Sequence, residues 1–168
     1  MTQPESVINN KKTPIPPGFW KTPVHLLALG LGTGYVPKLP GTAGTLVGVL
    51  LYIFMQPLNV MIYLVITSAL FLLGIWLCGK TASDLGVHDH TSIVWDEIVG
   101  YLVTMIMAPA GWLWIILGFI LFRLFDICKP WPVSWADKRV VGGLGIMLDD
   151  LIAAVYAMLI LQITAYML

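Results

Sequence analysis

The sequence predicts an all-α, polytopic helical membrane protein, with about four or five short transmembrane or re-entrant helices and the polar loops gathered on the cytoplasmic face. Three observations predict it. Hydrophobic residues make up 58% of the 168 residues and charged residues only 11%, against about 25% charged in a soluble domain. The mean hydropathy is +0.87. The few charges are also segregated: Leu39 to Gly79, Ile98 to Phe122 and Leu151 to Leu168 hold none, and together they make half the chain. A membrane-crossing helix needs ~20 predominantly apolar residues, so that half is membrane-compatible. The same figures exclude a disordered chain, an ordinary soluble globule and a nucleic-acid binder built on a basic surface. The formal net charge is zero, which leaves no global field to draw in polyanions. Cys78 and Cys128 lack zinc-ligand spacing and read as filler thiols.

Residues 1–18 read as a mobile, polar, proline-rich tail without the apolar core of a signal peptide. Residues 19–168 then form a single membrane-embedded domain. Phe19, Trp20 and Lys21 read as an interfacial anchor, because aromatic and basic residues collect at the headgroup level. Val24 to Leu31 is apolar but too short to span. From Gly30 to Thr45 glycine, proline and threonine are dense enough to predict irregular backbone. Apolar helices follow near 43–55 and 59–79, separated at Gln56-Pro57-Leu58-Asn59. Lys80 to Ser92 is a polar loop or helix extension. Two further helices fall near 92–107 and 111–127, divided at Ala108-Pro109-Ala110-Gly111; Pro130 and Pro132 end the second. A loop through Asp137, Lys138, Arg139 and Gly142-Gly143-Leu144-Gly145 leads to a last helix at 146–168, with Asp149-Asp150 in its first turn. Lysines and arginines at 1–38 and 123–139 put these segments on the cytoplasmic side under the positive-inside rule. The hairpins between them bring 80–97 to the same side.

The acids carry the clearest chemical signal. Asp96, Glu97, Asp126, Asp149 and Asp150 stand at the ends of apolar helices, where a carboxylate is expensive and usually functional. The topology gathers them at one membrane face with few neighbouring cations, which suits Mg²⁺, a hard ion that binds through a few carboxylates plus a substrate phosphate. Helix N-terminal acids are the plainer reading for Asp149-Asp150; that reading fits Asp126 poorly, near a helix C-terminus. Gly41, Thr42, Gly44 and Thr45 open a helix, where free N–H groups and hydroxyls make an anion site. A glycine-rich entry that lets helices pack closely is the alternative. Lys129 shares a helix face with Asp126 and supplies a point charge for a phosphate, or else anchors at the interface beside Trp131 and Trp135. His88 is placed to shuttle a proton near neutral pH, while His90 reads as a solvated loop residue.

These residues fall into four ordered blocks. They are Gly30-Leu31-Gly32-Thr33-Gly34 with Pro40-Gly41-Thr42-Ala43-Gly44-Thr45-Leu46; His88-Asp89-His90-Thr91-Ser92-Ile93-Val94-Trp95-Asp96-Glu97; Phe122-Arg123 with Phe125-Asp126-Ile127-Cys128-Lys129-Pro130-Trp131-Pro132; and Gly142-Gly143-Leu144-Gly145-Ile146-Met147-Leu148-Asp149-Asp150. From about Pro23 to the C-terminus the chain resembles the bacterial phosphatidylglycerophosphatase A family of membrane lipid phosphatases. The resemblance implies Mg²⁺-dependent removal of the terminal phosphate of phosphatidylglycerophosphate at the bacterial inner membrane, with the phospholipid and the membrane as partners and no nucleic acid.

Other chemistries lack their residues. A cysteine phosphatase needs Cys-x₅-Arg, and Ser134 stands six after Cys128. An aspartyl-phosphate enzyme would show Asp-x-Asp, and a histidine phosphatase several arginines where the chain has only Arg123 and Arg139. Metal-activated water is the simplest nucleophile left. The rival enzyme, a CDP-alcohol-type head-group transferase, needs Asp-Gly-x₂-Ala-Arg, and neither dipeptide occurs. A small channel or transporter would place acids at mid-membrane depth and show a repeat; here the acids sit at helix ends and no repeat is visible.

Overall fold

A computed structural model describes residues 14–167. Among the described residues the regular structure is entirely helical: α1 (Pro23–Ala28), α2 (Pro40–Met55), α3 (Val60–Leu85), α4 (Trp95–Thr104), α5 (Trp112–Cys128), α6 (Val133–Arg139) and α7 (Gly142–Met167), with 3₁₀ turns at Phe19–Lys21 and Gly30–Tyr35. Most of the expected tail, residues 1–13, lies outside the described residues. The helices alternate in direction. The starts of α2, α4 and α7 and the ends of α3 and α5 therefore meet at one polar end, where Lys38, Lys80, Arg123 and Lys129 lie.

Two helices, α3 and α7, are long and apolar enough to cross a membrane. Only 22% of the apolar window of α3 is buried inside the protein, so α3 is not the core helix of a soluble globule. Its outer face carries Met61, Val65, Leu72 and Trp76, each more than half exposed. Further large apolar side chains are exposed on α2 (Leu50, Phe54) and α5 (Leu113, Ile116, Ile120).

The centre of the molecule is α4. Every residue of α4 except Glu97 is buried, because α2, α3, α5 and α7 all pack on it. Glycines make those approaches possible. A Cβ on Gly100 would collide with the Phe122 ring, on Gly44 with Val94, and on Gly143 with the Ile75 carbonyl of α3. Tyr63 Oη donates to the Leu102 carbonyl and Tyr101 Oη to that of Ile115, so the buried polar groups near the end of α4 find partners.

Several boundaries differ from the sequence reading, each for a local reason. α2 begins at Pro40, because proline at N1 suits a helix start; of the stretch expected to be irregular, residues 30–39 are so, with positive φ at Gly30, Leu31 and Gly32, and only 40–45 are helical. α3 runs on to Leu85, with Lys80 and Asp84 paired at i,i+4 and Gly86 capping it at φ +68°. α4 spans only Trp95–Thr104 and not 92–107. α7 starts at Gly142, so Asp149 and Asp150 lie about two turns inside it and are not first-turn acids. Its Gly143 marks a helix crossing against α3, not a loop, and Gly145 packs on the Val140 carbonyl. Proline also starts helices: α6, expected to be loop, follows Pro132 and buries Val133 and Ala136.

Phe19 is a packing residue, stacked on His25 with ring centroids 3.9 Å apart. His25 Nδ1 lies 3.1 Å from Thr81 Oγ1 and its Nε2 3.2 Å from Asp84 Oδ2, which ties α1 to the polar end of α3. Trp20 remains half exposed.

Candidate active site

At the polar end a cavity of about 900 Å³ opens between the loop before α2, the loop before α4, the end of α5 and the second turn of α7. Asp96, Glu97, Asp126, Asp149 and Asp150 all line it, as do Gly41, His90, Arg123 and Lys129. Five carboxylates from three helices therefore share one wall. Antiparallel packing brings them there: α4 delivers Asp96 and Glu97 from its first turn, α5 delivers Asp126 from its last, and α7 delivers Asp149 and Asp150.

The five acids fall into two groups. Asp96, Glu97 and Asp150 can each offer an oxygen such that the three lie within 4.8 Å of one another. One oxygen of each, Asp96 Oδ1, Glu97 Oε2 and Asp150 Oδ2, is buried without a hydrogen-bond partner. Unpartnered buried carboxylate oxygens are costly. Burial first, and then the Glu97 charge, hold the Asp96 carboxyl well above the usual carboxylate range. Burial, reinforced by the Asp126 charge, pushes Glu97 up to about 7. A small divalent cation answers all of this at once: it supplies the missing partner for three oxygens and favours their charged forms. Oxygens sharing one Mg²⁺ stand about 3 to 4 Å apart, so the trio needs only small side-chain rotations to fit.

Asp126 and Asp149 stand outside that trio, each beside a cation. Arg123 Nη1 lies 2.6 Å from Asp126 Oδ2 and 3.6 Å from Glu97 Oε1. Lys129 Nζ donates to Asp149 Oδ2 and to Asp137 Oδ1, at 2.6 Å in both cases. Burial works against the Lys129 ammonium, but Asp149 and Asp137 outweigh it and hold the group above the ordinary lysine range. Lys129 therefore does not pair with Asp126 across one helix face. It ends α5 in the left-handed conformation, φ +42°, and reaches towards α6 and α7.

The expected phosphate loop is divided. Gly41 lines the cavity so closely that a Cβ there would overlap Glu97 Oε1 and stand 3.0 Å from Arg123 Nη1. No side chain caps α2, so the N–H groups of its first turn keep their donor capacity. Thr42, Gly44 and Thr45 do not line the cavity. Two of them correct the sequence reading: Gly44 packs on Val94, and the fully buried Thr45 hydroxyl donates to the Gly41 carbonyl at 2.8 Å, back along its own helix.

The histidines exchange places. His90, expected to be solvated, is 3% exposed, accepts the Ser92 N–H at Nδ1 and lines the main cavity. His88 lines a separate cavity of about 20 Å³ behind Asp96 and Asp149, room for about one water molecule. Ile15, from the expected tail, also lines the main cavity. Sequence reasoning missed Arg123 and Asp137 as site residues. Arg123 was open to detection, as a cation inside an apolar helix three residues before an acid. Asp137 meets Lys129 only through α6, and nothing local announces that.

A family model described as Phosphatidylglycerophosphatase A matches residues 26–165. A Phosphatidylglycerophosphatase A of Haemophilus influenzae is 47% identical over 146 residues, covering 86% of this chain and 90% of the relative. One of Escherichia coli is 45% identical over 134 residues, covering 79% and 78%. A Bacteroides thetaiotaomicron protein, provisionally named a phosphatidylinositol-3-phosphatase, is 35% identical over 153 residues, covering 85% and 94%. No solved structure matches.

Proposed function

The chain belongs to the phosphatidylglycerophosphatase A family, and from that premise we propose that it removes the terminal phosphate of phosphatidylglycerophosphate with the help of Mg²⁺ bound to Asp96, Glu97 and Asp150. It is a lipid phosphatase, a hydrolase that yields phosphatidylglycerol and inorganic phosphate. The observation that carries the metal reading is the trio of buried, unpartnered carboxylate oxygens on these three residues. When bound, Mg²⁺ would neutralise charge on the phosphate oxygens and lower the pKa of bound water.

The remaining parts are this chain's own. The first turn of α2 at Gly41 presents a backbone N–H group and the positive end of the helix dipole to the terminal phosphate. Lys129 adds a positive charge at the same wall while holding Asp149 and Asp137 in place. Asp126 positions Arg123. A carboxylate of the cluster takes the proton of the attacking water, with His88 next to it behind Asp96. Phosphate-monoester hydrolysis is among the slowest uncatalysed reactions, so the site must remove on the order of 20 kcal/mol from the barrier; positioning and charge stabilisation supply most of it in phosphoryl transfer.

The setting we propose is the inner membrane. α3 and α7 cross it, α2 and α5 enter it as shorter apolar helices, and α4 lies between them, for four to five buried segments. The polar end faces the cytoplasm, since Lys38, Lys80, Arg123 and Lys129 gather there. Exposed Leu39 and Ile127 border the site, so a diacyl lipid stays in the leaflet while its head group enters the cavity.

The test is phosphate release from phosphatidylglycerophosphate by purified protein in detergent. EDTA should abolish it and Mg²⁺ restore it, with phosphatidylinositol 3-phosphate turned over more slowly. A single turnover in ¹⁸O-water should label the released phosphate. Full activity in EDTA removes the metal reading, and a stable histidine phosphoprotein removes the water nucleophile.

A further inference from the structure

We propose that Arg123 is the side chain that grips the terminal phosphate, a role no sequence motif assigns to it. The inference deepens the phosphatase reading and rests on it.

Arg123 is the only arginine lining the main cavity among the described residues. Its side chain is 15% exposed, and both of its ion pairs run through one nitrogen, Nη1. Neither contact has hydrogen-bond alignment: Nε and Nη1 are both buried without a hydrogen-bond partner. A guanidinium carries five N–H donors in a fixed planar fork. In a closed structural ion pair that fork is usually matched bidentately by a carboxylate. Here Asp126 Oδ2 holds the charge at 2.6 Å and leaves the Nε and Nη1 donors unmatched. That is costly for a purely structural residue and suited to one that awaits an oxyanion.

The surroundings point the same way. Gly41, in the uncapped first turn of α2, stands against both Glu97 Oε1 and Arg123 Nη1, so closely that a Cβ there would meet the two of them. Glu97, one of the proposed Mg²⁺ ligands, touches the same nitrogen. Gly41, Glu97 and the guanidinium thus meet at one point of the cavity wall, where the backbone donors of α2, the proposed metal ligands and the arginine all adjoin. Lys129 cannot take this part as readily, since its ammonium already donates to two carboxylates.

The experiment measures Arg123→Gln and Arg123→Lys for competitive inhibition by inorganic phosphate, read on the lipid product, and for Mg²⁺ half-saturation. Both variants should raise the Ki for phosphate ~10-fold or more, the scale of a lost charged hydrogen bond. Millimolar guanidinium should partly rescue Arg123→Ala. Mg²⁺ half-saturation should hold or fall in Arg123→Gln, because a positive charge has left the metal ligands. If the Ki is unchanged while Mg²⁺ half-saturation shifts, Arg123 only balances the acids and the inference is wrong. Should Arg123→Gln fail to fold, Arg123→Lys with wild-type phosphate inhibition is enough to overturn it. Failure of the phosphatase reading is a different result: the wild type would then release no phosphate from the lipid. Equilibrium binding of labelled phosphate to wild type and Arg123→Lys still decides the role of Arg123, because weaker binding by the variant upholds it and equal binding refutes it.

Discussion

Asp149 and Asp150 are adjacent in α7 and almost equally buried, at 6% and 4% exposed, yet they live in opposite circumstances. Asp149 is bound by Lys129, which also holds Asp137. Asp150 faces Asp96 and Glu97 and leaves one oxygen without a partner. Successive residues on a helix point about 100° apart, so one pair of acids serves two sectors. One sector closes on itself and fixes where α5, α6 and α7 meet. The other stays open and electrostatically unpaid, the state expected of a cation site. On the reading proposed above, partnership and not burial separates the working acid from the structural one.

The comparison breaks most sharply at the open sector. Asp150→Asn or Asp96→Asn should lower phosphate release by ~100-fold or more, at least the scale on which even outer-shell partners of a metal act. Both should melt at or above the wild-type temperature without Mg²⁺, since repulsion within the trio is relieved. A variant that stays active, or that melts lower in EDTA, would show the trio to be ordinary packing.

Gly41→Ala comes next. Its methyl group must displace Glu97 Oε1, and a shift of about 1 Å in a reacting constellation costs up to ~100-fold in rate. The thermal midpoint should change little, because alanine is the better helix former. Unchanged kcat/KM would place the catalytic centre away from α2.

The closed sector should respond in stability before activity. Lys129→Met leaves Asp137 and Asp149 without their shared cation, at a cost of about 2 kcal/mol, visible as a lower midpoint in a thermal melt at neutral pH. Adding Asp137→Asn should return part of it. A melt identical to wild type would mean that the ion pairs are too solvated to matter.

The smallest effect belongs to Thr45→Val. The Thr45 hydroxyl bonds only to its own helix, so activity should stay within about twofold and stability within ~1 kcal/mol. A large loss of turnover would return Thr45 to the phosphate site.

These differences also explain what was legible. The acids of the site stand out because charge is scarce and expensive in an apolar chain, and their four sequence blocks are ordered enough to carry a family resemblance. Charge sign along the chain suffices to place Asp96, Asp126 and Asp150 at one end. It does not tell which acid meets which cation, because the partners of Lys129 and Arg123 depend on rotation about helix axes and on α6, hidden behind two prolines. The glycines mislead for a related reason. Glycine is a poor helix former in water, but at Gly143 contact with the Ile75 carbonyl of α3 leaves no room for anything larger. The closeness of two helices overrides the local preference.

The lengths of α2 and α5 have a consequence for the lipid around them. Sixteen and seventeen residues make helices of about 24 and 26 Å, while the hydrocarbon of a typical bilayer is ~30 Å thick. In the membrane setting proposed above, a bilayer meeting this wall would thin to match it, at fractions of a kcal/mol per ångström. Beside Ile127 and Leu39, both exposed at the cavity rim, thinning lowers the headgroup plane towards the acids. In that setting the substrate would not be lifted out of its leaflet to reach them; the leaflet would be drawn down to the enzyme.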